Sequence, residues 1–234
     1  MQRKFLINMA MNELDLKHDF KDFKINARLS FDDGEIIALF GDSGSGKSTI
    51  LKLIAGLINK PLLKDIAFLF QDCTLFDNFN VYENLVFTNT KTLLDDLKYI
   101  FGKKLDKNTS NFYDELLKLA NLEEHKTKKI STLSGGQKQR LALICALSKN
   151  AKYILLDEPL SALDDSNKIA LIKLIKKINQ DYKRTIIFVS HSCFEINALA
   201  DKIYFVKNGS FEKCLNKEEF FIEKIQNNEF LCKN

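Results

Sequence analysis

The stretch Gly41-Asp42-Ser43-Gly44-Ser45-Gly46-Lys47-Ser48-Thr49 restricts the folds open to this chain more than any other. It fits G-x-x-x-x-G-K-[ST]. An apolar run of strand length, Glu35 to Phe40, precedes it, and Ile50 to Gly56 after it has the character of an opening helix. Strand, glycine loop and helix in that order are the setting in which the pattern cradles phosphate. Glycines let successive N–H groups turn inward on an anion, and the helix N-terminus adds a favourable dipole. There Lys47 reaches the β- and γ-phosphates of a nucleotide, and the Ser48 hydroxyl ligates Mg²⁺. An ordinary glycine turn is the alternative, and the flanks on both sides argue against it.

At 234 residues the chain can form one large domain, or a domain with a subdomain, around a real core. No apolar run reaches the length that crosses a bilayer, so any membrane process it serves needs another polypeptide to span. The net charge is a mild +4 and the lysines are dispersed, which gives no nucleic-acid footprint. Cys73, Cys145, Cys193, Cys214 and Cys232 are odd in number, widely spaced and without C-x-x-C. That suits reduced thiols of a cytosol, neither a disulfide frame nor a zinc site. Met1 to Ala10 is too short for a secretory signal, and Met9 or Met11 is the expected native start.

Residues 13–16 and 24–31 alternate as strands, with Asp32-Asp33-Gly34 turning into the strand before the glycine loop. Ile66 to Phe70, Tyr153 to Asp157 and Thr185 to Val189 are further strands. Lys202 to Val206 and Ser210 to Cys214 pair around Asn208-Gly209, a hairpin signal. Helical spacing marks Leu93, Leu94, Leu97 and Ile100, then Leu116, Leu117, Leu119 and Leu122, with a polar loop from Gly102 to Ser110 between them. Ser166 to Ile178 is a helix with Ile169, Ile172, Ile175 and Ile178 on one face, and Lys217 to Ile225 a last amphipathic helix. The expected fold is α/β, a mainly parallel sheet covered on both faces, with 82–131 as a helical insertion between 1–81 and 132–234.

Asp157-Glu158 ends the apolar strand that starts at Tyr153. An acid at such a tip holds the Mg²⁺ water shell, and the next is placed to polarise an attacking water. Leu133-Ser134-Gly135-Gly136-Gln137, before Lys138-Gln139-Arg140 and an apolar helix, is on its own a flexible turn and helix N-cap with exposed amides. Such an end also binds phosphate. A chain that already holds one phosphate loop finds a use for a second cradle in a dimer, each copy closing on its partner's nucleotide.

Leu133 to Gln137 resembles the signature motif of ATP-binding cassette (ABC) ATPases. The rest of that family's set follows in order: the glycine loop, Gln71 after a strand, the signature, Asp157-Glu158, Ser161-Ala162-Leu163-Asp164 and His191. The resemblance covers about residues 13–215. It implies a RecA-like P-loop core, an inserted α-helical subdomain, and a head-to-tail homodimer sandwiching ATP and Mg²⁺. By family role, Gln71 senses Mg²⁺ and the γ-phosphate, and Asp157 holds the metal with Ser48 and Gln71. Glu158 is the catalytic carboxylate that orients or deprotonates the attacking water, while His191 and Lys47 hold the transferred phosphoryl. Ser134, Gly135, Gly136 and Gln137 contact the partner's ATP, and Asp164 couples the two sites. Phe20 is expected to stack on adenine, with Phe23 or His18 able to take that place and a core role open to Phe20.

Phe70-Gln71-Asp72, Leu75-Phe76, Val81 to Leu85 and Pro159 to Asp164 resemble importers of sugars and inorganic anions. Val189 to Ser192, Glu195-Ile196 and Leu199 to Asp201 are similar to molybdate-importer ATPases; sulfate, tungstate, a sugar and an amino acid stay open as cargo. The resemblance implies a peripheral ATPase on the cytoplasmic face of the membrane, docked by Leu75 to Leu85 on a permease and through it served by a solute-binding protein. Soluble ABC ATPases of DNA repair or translation share the chemistry but carry a coiled-coil insertion or two cassettes. Only Asn59 to Asp65 separates the helix end at Gly56 from the Gln71 strand, so the antiparallel β-subdomain should be reduced. The chain ends where many such importers continue, and no C-terminal regulatory domain is expected.

Overall fold

The structure, a computed structural model, describes residues 11–89 and 105–226. Met9, the helical positions Leu93, Leu94, Leu97 and Ile100, and Cys232 lie outside the described residues.

Two antiparallel strands come first, β1 (Met11–Asp19) and β2 (Lys24–Asp32). Then follow β3 (Ile36–Phe40), α1 (Lys47–Ile54), β4 (Ile66–Leu69), α2 (Val81–Asn89) and α3 (Lys107–Leu119). The rest is α4 (Gly135–Ser148), β5 (Tyr153–Asp157), α5 (Asp165–Tyr182), β6 (Thr185–Val189), α6 (Cys193–Leu199), β7 (Lys202–Lys207), β8 (Ser210–Asn216) and α7 (Lys217–Gln226). The main sheet has the order β4-β5-β6-β3-β7-β8; only β7 and β8 pair antiparallel. Every residue of β5 and β6 is buried, as expected of parallel strands covered on both faces.

The two-residue period of these strands divides their side chains between two cores. Ile36, Ala38, Ile154, Leu156, Ile186 and Phe188 face one, with α4 and α5. Ile37, Leu39, Leu155, Ile187 and Val189 face the other, with α1 and the β1–β2 pair. Each fully buried large side chain, Phe31 and Phe188 among them, contributes about 1.5–3 kcal/mol. Between Gly56 and Asp65 the described backbone forms no strand. The antiparallel subdomain is therefore the short β1–β2 pair, reduced as expected. Gly56 has φ 76° and a Cβ there would lie 2.6 Å from Pro61, so α1 ends where only glycine fits.

Several expectations need correction. The polar stretch from Gly102 does not stay a loop to Ser110. Helix α3 starts at Lys107, because the Asp106 carboxylate caps it by accepting from the N–H groups of Asn108 and Thr109 at 3.1 and 3.0 Å. Leu122 is buried but sits beyond the end of α3, in the turn that follows. Ile169 does not share the buried face of α5: it is 46% exposed, whereas Leu171, Ile172, Leu174, Ile175 and Ile178 are buried. A strict three-residue step falls back by about 60° each time on a 3.6-residue helix, so four such positions cannot all face one core. The segment from α2 to the start of α4 returns on itself. Asn80 bridges Lys129, and the Val81 N–H donates to the Lys128 carbonyl at 3.1 Å, which brings its two ends together.

Candidate functional site

Four neighbouring strands, β4, β5, β6 and β3, each deliver one part of the site at its C-terminal end. Gln71 follows β4, Asp157 and Glu158 close β5, His191 follows β6, and the glycine loop follows β3. Ligands of open parallel sheets bind outside this edge. Phe40, Gly41, Asp42, Ser43, Lys47, Gln71, Glu158 and His191 line a cleft of about 530 Å³ there. Phe40 was not legible as a wall residue; it is held by edge-to-face packing on Phe205 and Phe220.

The loop is shaped by close backbone approach. Gly41 has φ 156°, and a Cβ there would stand 2.3 Å from the Val206 carbonyl oxygen of β7. Gly44 and Gly46 take φ 78° and 105°, and a Cβ on Gly46 would meet the Phe23 ring at 2.7 Å. Gly46 is the N-cap of α1 and offers no side-chain cap, and no acid stands in the first turn. The leading N–H groups of α1 are thereby left for an anion. The Ser45 hydroxyl is buried without a hydrogen-bond partner.

Lys47 is 6% exposed and donates to the carbonyls of Gly41 and Asp42 at 2.8 and 2.6 Å. Burial lowers its pKa, against the charges of Glu158, Asp42 and Asp157. Ser48 Oγ donates to Asp157 Oδ1 at 2.8 Å. Burial pushes the Asp157 carboxyl up; the Ser48 bond opposes this and the Glu158 charge adds to it. Glu158 Oε2 accepts from Gln71 Nε2 at 3.4 Å, and Glu158 Oε1 lies 3.8 Å from His191 Nδ1. These residues fit a nucleotide triphosphate with its metal. The loop is an anion cradle, and Ser48 and Asp157 supply two oxygen ligands of the hard type Mg²⁺ prefers. Among the described residues no group of three acids, histidines or cysteines is gathered to hold a metal ion.

The remaining predicted residues lie elsewhere. Ser134 caps α4 in a capping box: its Oγ accepts from the Gln137 N–H at 3.3 Å and its N–H donates to Gln137 Oε1 at 2.8 Å. Gly135 and Gly136 are thus the first helical residues and not a flexible turn. None of 134–137 lines the cleft, nor does Asp164, which caps α5 by accepting from the Asn167 N–H at 3.0 Å. Thr49 is half-buried in the first turn of α1. Phe20 is half-buried against His18, with ring centroids 4.3 Å apart; Phe23 is the aromatic that lies on the loop at Gly46.

This sheet, with a phosphate loop after β3 and an acid pair after β5, defines a P-loop nucleotide-binding protein. Residues 25–161 match the ABC transporter family, and the chain belongs to it. It is 35% identical over 198 residues to a spermidine/putrescine import ATP-binding protein of Fusobacterium nucleatum, covering 77% of this chain and 50% of the relative. Comparable relatives are an sn-glycerol-3-phosphate import ATP-binding protein of Psychromonas ingrahamii (35% identity, 79% and 51% covered) and a sulfate/thiosulfate import ATP-binding protein of Bacillus cereus (35%, 80% and 56%). The chain spans about half the length of the curated relatives it matches. Among solved structures it is similar to a dimeric, post-hydrolysis ATP-binding cassette bound to ADP and Pi, with TM-score 0.70 and 27% identity over 89% of this chain and 99% of that one. The structure of cbiO1 from Clostridium perfringens, described as part of the ABC transporter complex cbiONQ, gives TM-score 0.71 at 25% identity, covering 95% and 96%.

Proposed function

We propose that the chain is the ATP-binding and hydrolysing subunit of an ABC importer. The observation that carries this reading is the convergence of Lys47, Gln71, Glu158 and His191 on one cleft at the ends of neighbouring strands. Lys47 and the leading N–H groups of α1 hold the phosphates in line. Glu158 orients and deprotonates the attacking water, and His191 stabilises charge on the phosphoryl that departs. Mg²⁺, when bound, neutralises phosphate charge, and Ser48, Asp157 and Gln71 are the residues placed to hold it.

The second half of each site comes from a second copy. Gly135 has ordinary helical backbone, and a Cβ there would meet nothing within 4 Å of its own chain. The exposed end of α4 that it shares with Ser134 suits the nucleotide of a partner copy, and Asp164 stands where the two sites communicate. Toward the membrane, Phe76 is 51% exposed beside the half-buried Leu75 and Phe79, the face on which a permease segment docks. No described helix is long and apolar enough to cross a membrane. In this reading the permease spans the bilayer and the cassette docks on its cytoplasmic face. A solute-binding protein reaches it only through the permease. The relatives' names span polyamine, glycerol-3-phosphate and sulfate import. The stretch around His191 supports an inorganic oxyanion such as molybdate as cargo.

The test is Glu158→Gln. Turnover should fall at least a hundredfold, and Mg-ATP, not Mg-ADP, should shift the variant from monomer to dimer in sedimentation. Wild-type turnover in this variant removes Glu158 as the base. A monomer that hydrolyses ATP at full rate, or full activity after Ser134→Arg, removes the shared site.

A further inference from the structure

Glu158 is set in an unfavourable backbone. Its φ is 48°, left-handed for a residue with a Cβ, and it stands directly before Pro159, where an extended conformation is preferred. Strained residues of this kind persist when their surroundings over-determine them. The surrounding group here is Gln139, one of the few polar side chains in the core at 5% exposure. Its Nε2 donates to the Glu158 carbonyl at 3.0 Å and to Ser161 Oγ at 3.3 Å, and its Oε1 accepts from the Ala162 N–H at 3.0 Å. Only this orientation of the amide satisfies a carbonyl on one side and an N–H on the other. The Ser161 hydroxyl supports the same carbonyl from the exposed side at 3.2 Å.

Gln139 belongs to α4, whose exposed first turn is Ser134 to Gln137. One buried amide therefore fastens the backbone of Glu158, and the turn leading to Asp164, to the helix that begins with the second phosphate cradle. We infer that Gln139 is a positioning residue. It holds the Glu158–Ala162 turn so that the Glu158 carboxylate faces the cleft, and it ties that orientation to the seating of α4. The inference rests on Glu158 as the base.

The experiment compares Gln139→Met, Gln139→Glu, Ser161→Ala and Glu158→Gln in the full chain, measuring steady-state ATP turnover, ADP affinity by calorimetry and the unfolding midpoint. Met keeps the length and removes all three bonds. Glu keeps an acceptor for Ala162 and loses the donor to the Glu158 carbonyl. Both Gln139 variants should lose about tenfold or more in kcat, with KM for Mg-ATP and ADP affinity within twofold of wild type. A kcat within twofold of wild type in both overturns the inference, as does a parallel loss of kcat and ADP affinity, which marks a general fold defect. If the core variants do not fold, exposed Ser161→Ala decides: kcat should fall about threefold at unchanged KM, and an unchanged kcat overturns the inference. Full turnover by Glu158→Gln discards the base assignment and this inference with it. Loss of turnover there with normal Gln139 variants discards the inference alone.

Discussion

Ser48 Oγ and Asp157 Oδ1 are 2.8 Å apart, although 109 residues separate them in the chain. The bond joins the start of α1 to the end of β5, and it links two of the protein groups proposed for the metal, the third being Gln71. Asp157 meets this role at a cost, because burial raises its pKa in the folded chain. A carboxyl raised on folding favours the fold below the unfolded pKa, and that contribution is lost as pH rises through the folded pKa. Asp157→Asn keeps an acceptor for Ser48 and removes the desolvated charge. The nucleotide-free variant should melt higher than wild type at pH 7–8, with the gap closing toward pH 4, while Mg²⁺-dependent turnover is lost. Calorimetric melting across pH reads the first part, and a lower midpoint at pH 8 contradicts it.

Glu195 in α6 is 3% exposed and uses both carboxylate oxygens. Oε2 accepts from Ser190 Oγ at 2.7 Å, and Oε1 lies 3.6 Å from Lys168 Nζ in α5. Ser190 Oγ also accepts from the Ser192 N–H at 3.0 Å, so this group shapes the turn that presents His191. Lys168→Met leaves a buried charge without its partner and should cost about 3 kcal/mol, roughly 6–12 °C in melting temperature. Lys168→Met with Glu195→Gln should recover most of that loss. Additive losses in the double variant show that the pair is not coupled.

Gly209, at φ 75° in the β7–β8 turn, ties three elements together. Its N–H donates to the Ser45 carbonyl of the phosphate loop at 2.9 Å, and its carbonyl accepts from the Asn26 N–H of β2 at 3.0 Å. A Cβ would stand 1.9 Å from the Lys24 carbonyl oxygen. Gly209→Ala should destabilise the chain by more than about 2 kcal/mol and weaken ADP binding, since the loop loses a backbone anchor. Urea unfolding with ADP titration checks both, and an unaltered ADP affinity rejects the anchoring role.

Among the described cysteines, Cys145 is fully enclosed by the core around α4 and its thiol is pushed up to about 12 by burial. Exposed Cys214 and half-buried Cys73 are raised less. Alkylation of the folded chain at pH 8 should label Cys214 before Cys73 and leave Cys145 untouched until urea unfolds it, as followed by peptide mass. Early labelling of Cys145 means that α4 opens on that timescale.

Much of the fold was legible because its signals are local. The apolar runs at Tyr153–Asp157 and Thr185–Val189 became strands with those bounds, and Asn208-Gly209 became the hairpin turn. Where the reading failed, one local signal had outweighed another. Polarity from Gly102 to Ser110 concealed the Asp106 cap, and a regular isoleucine spacing at Ile169 passed for a face. Gln139 was overlooked for a different reason. A glutamine in a helix carries no mark of burial, and its partners at Glu158 and Ala162 lie about twenty residues on, in a separate loop.

The sequence by itself determined the chemistry on offer: a glycine loop with its lysine and serine, an acid pair at a strand end, a histidine after another, and a second N-terminal cradle. Spacing and backbone preference act over a few residues, so one dimension suffices to read them. Only the tertiary structure decided which of these meet. The order β4-β5-β6-β3 aligns Gln71, Glu158, His191 and Lys47 on one edge, while α4 presents Ser134 and Gly135 outside that cleft. Strand order is set by how two apolar faces are covered together, a property of the whole sheet that no single segment carries.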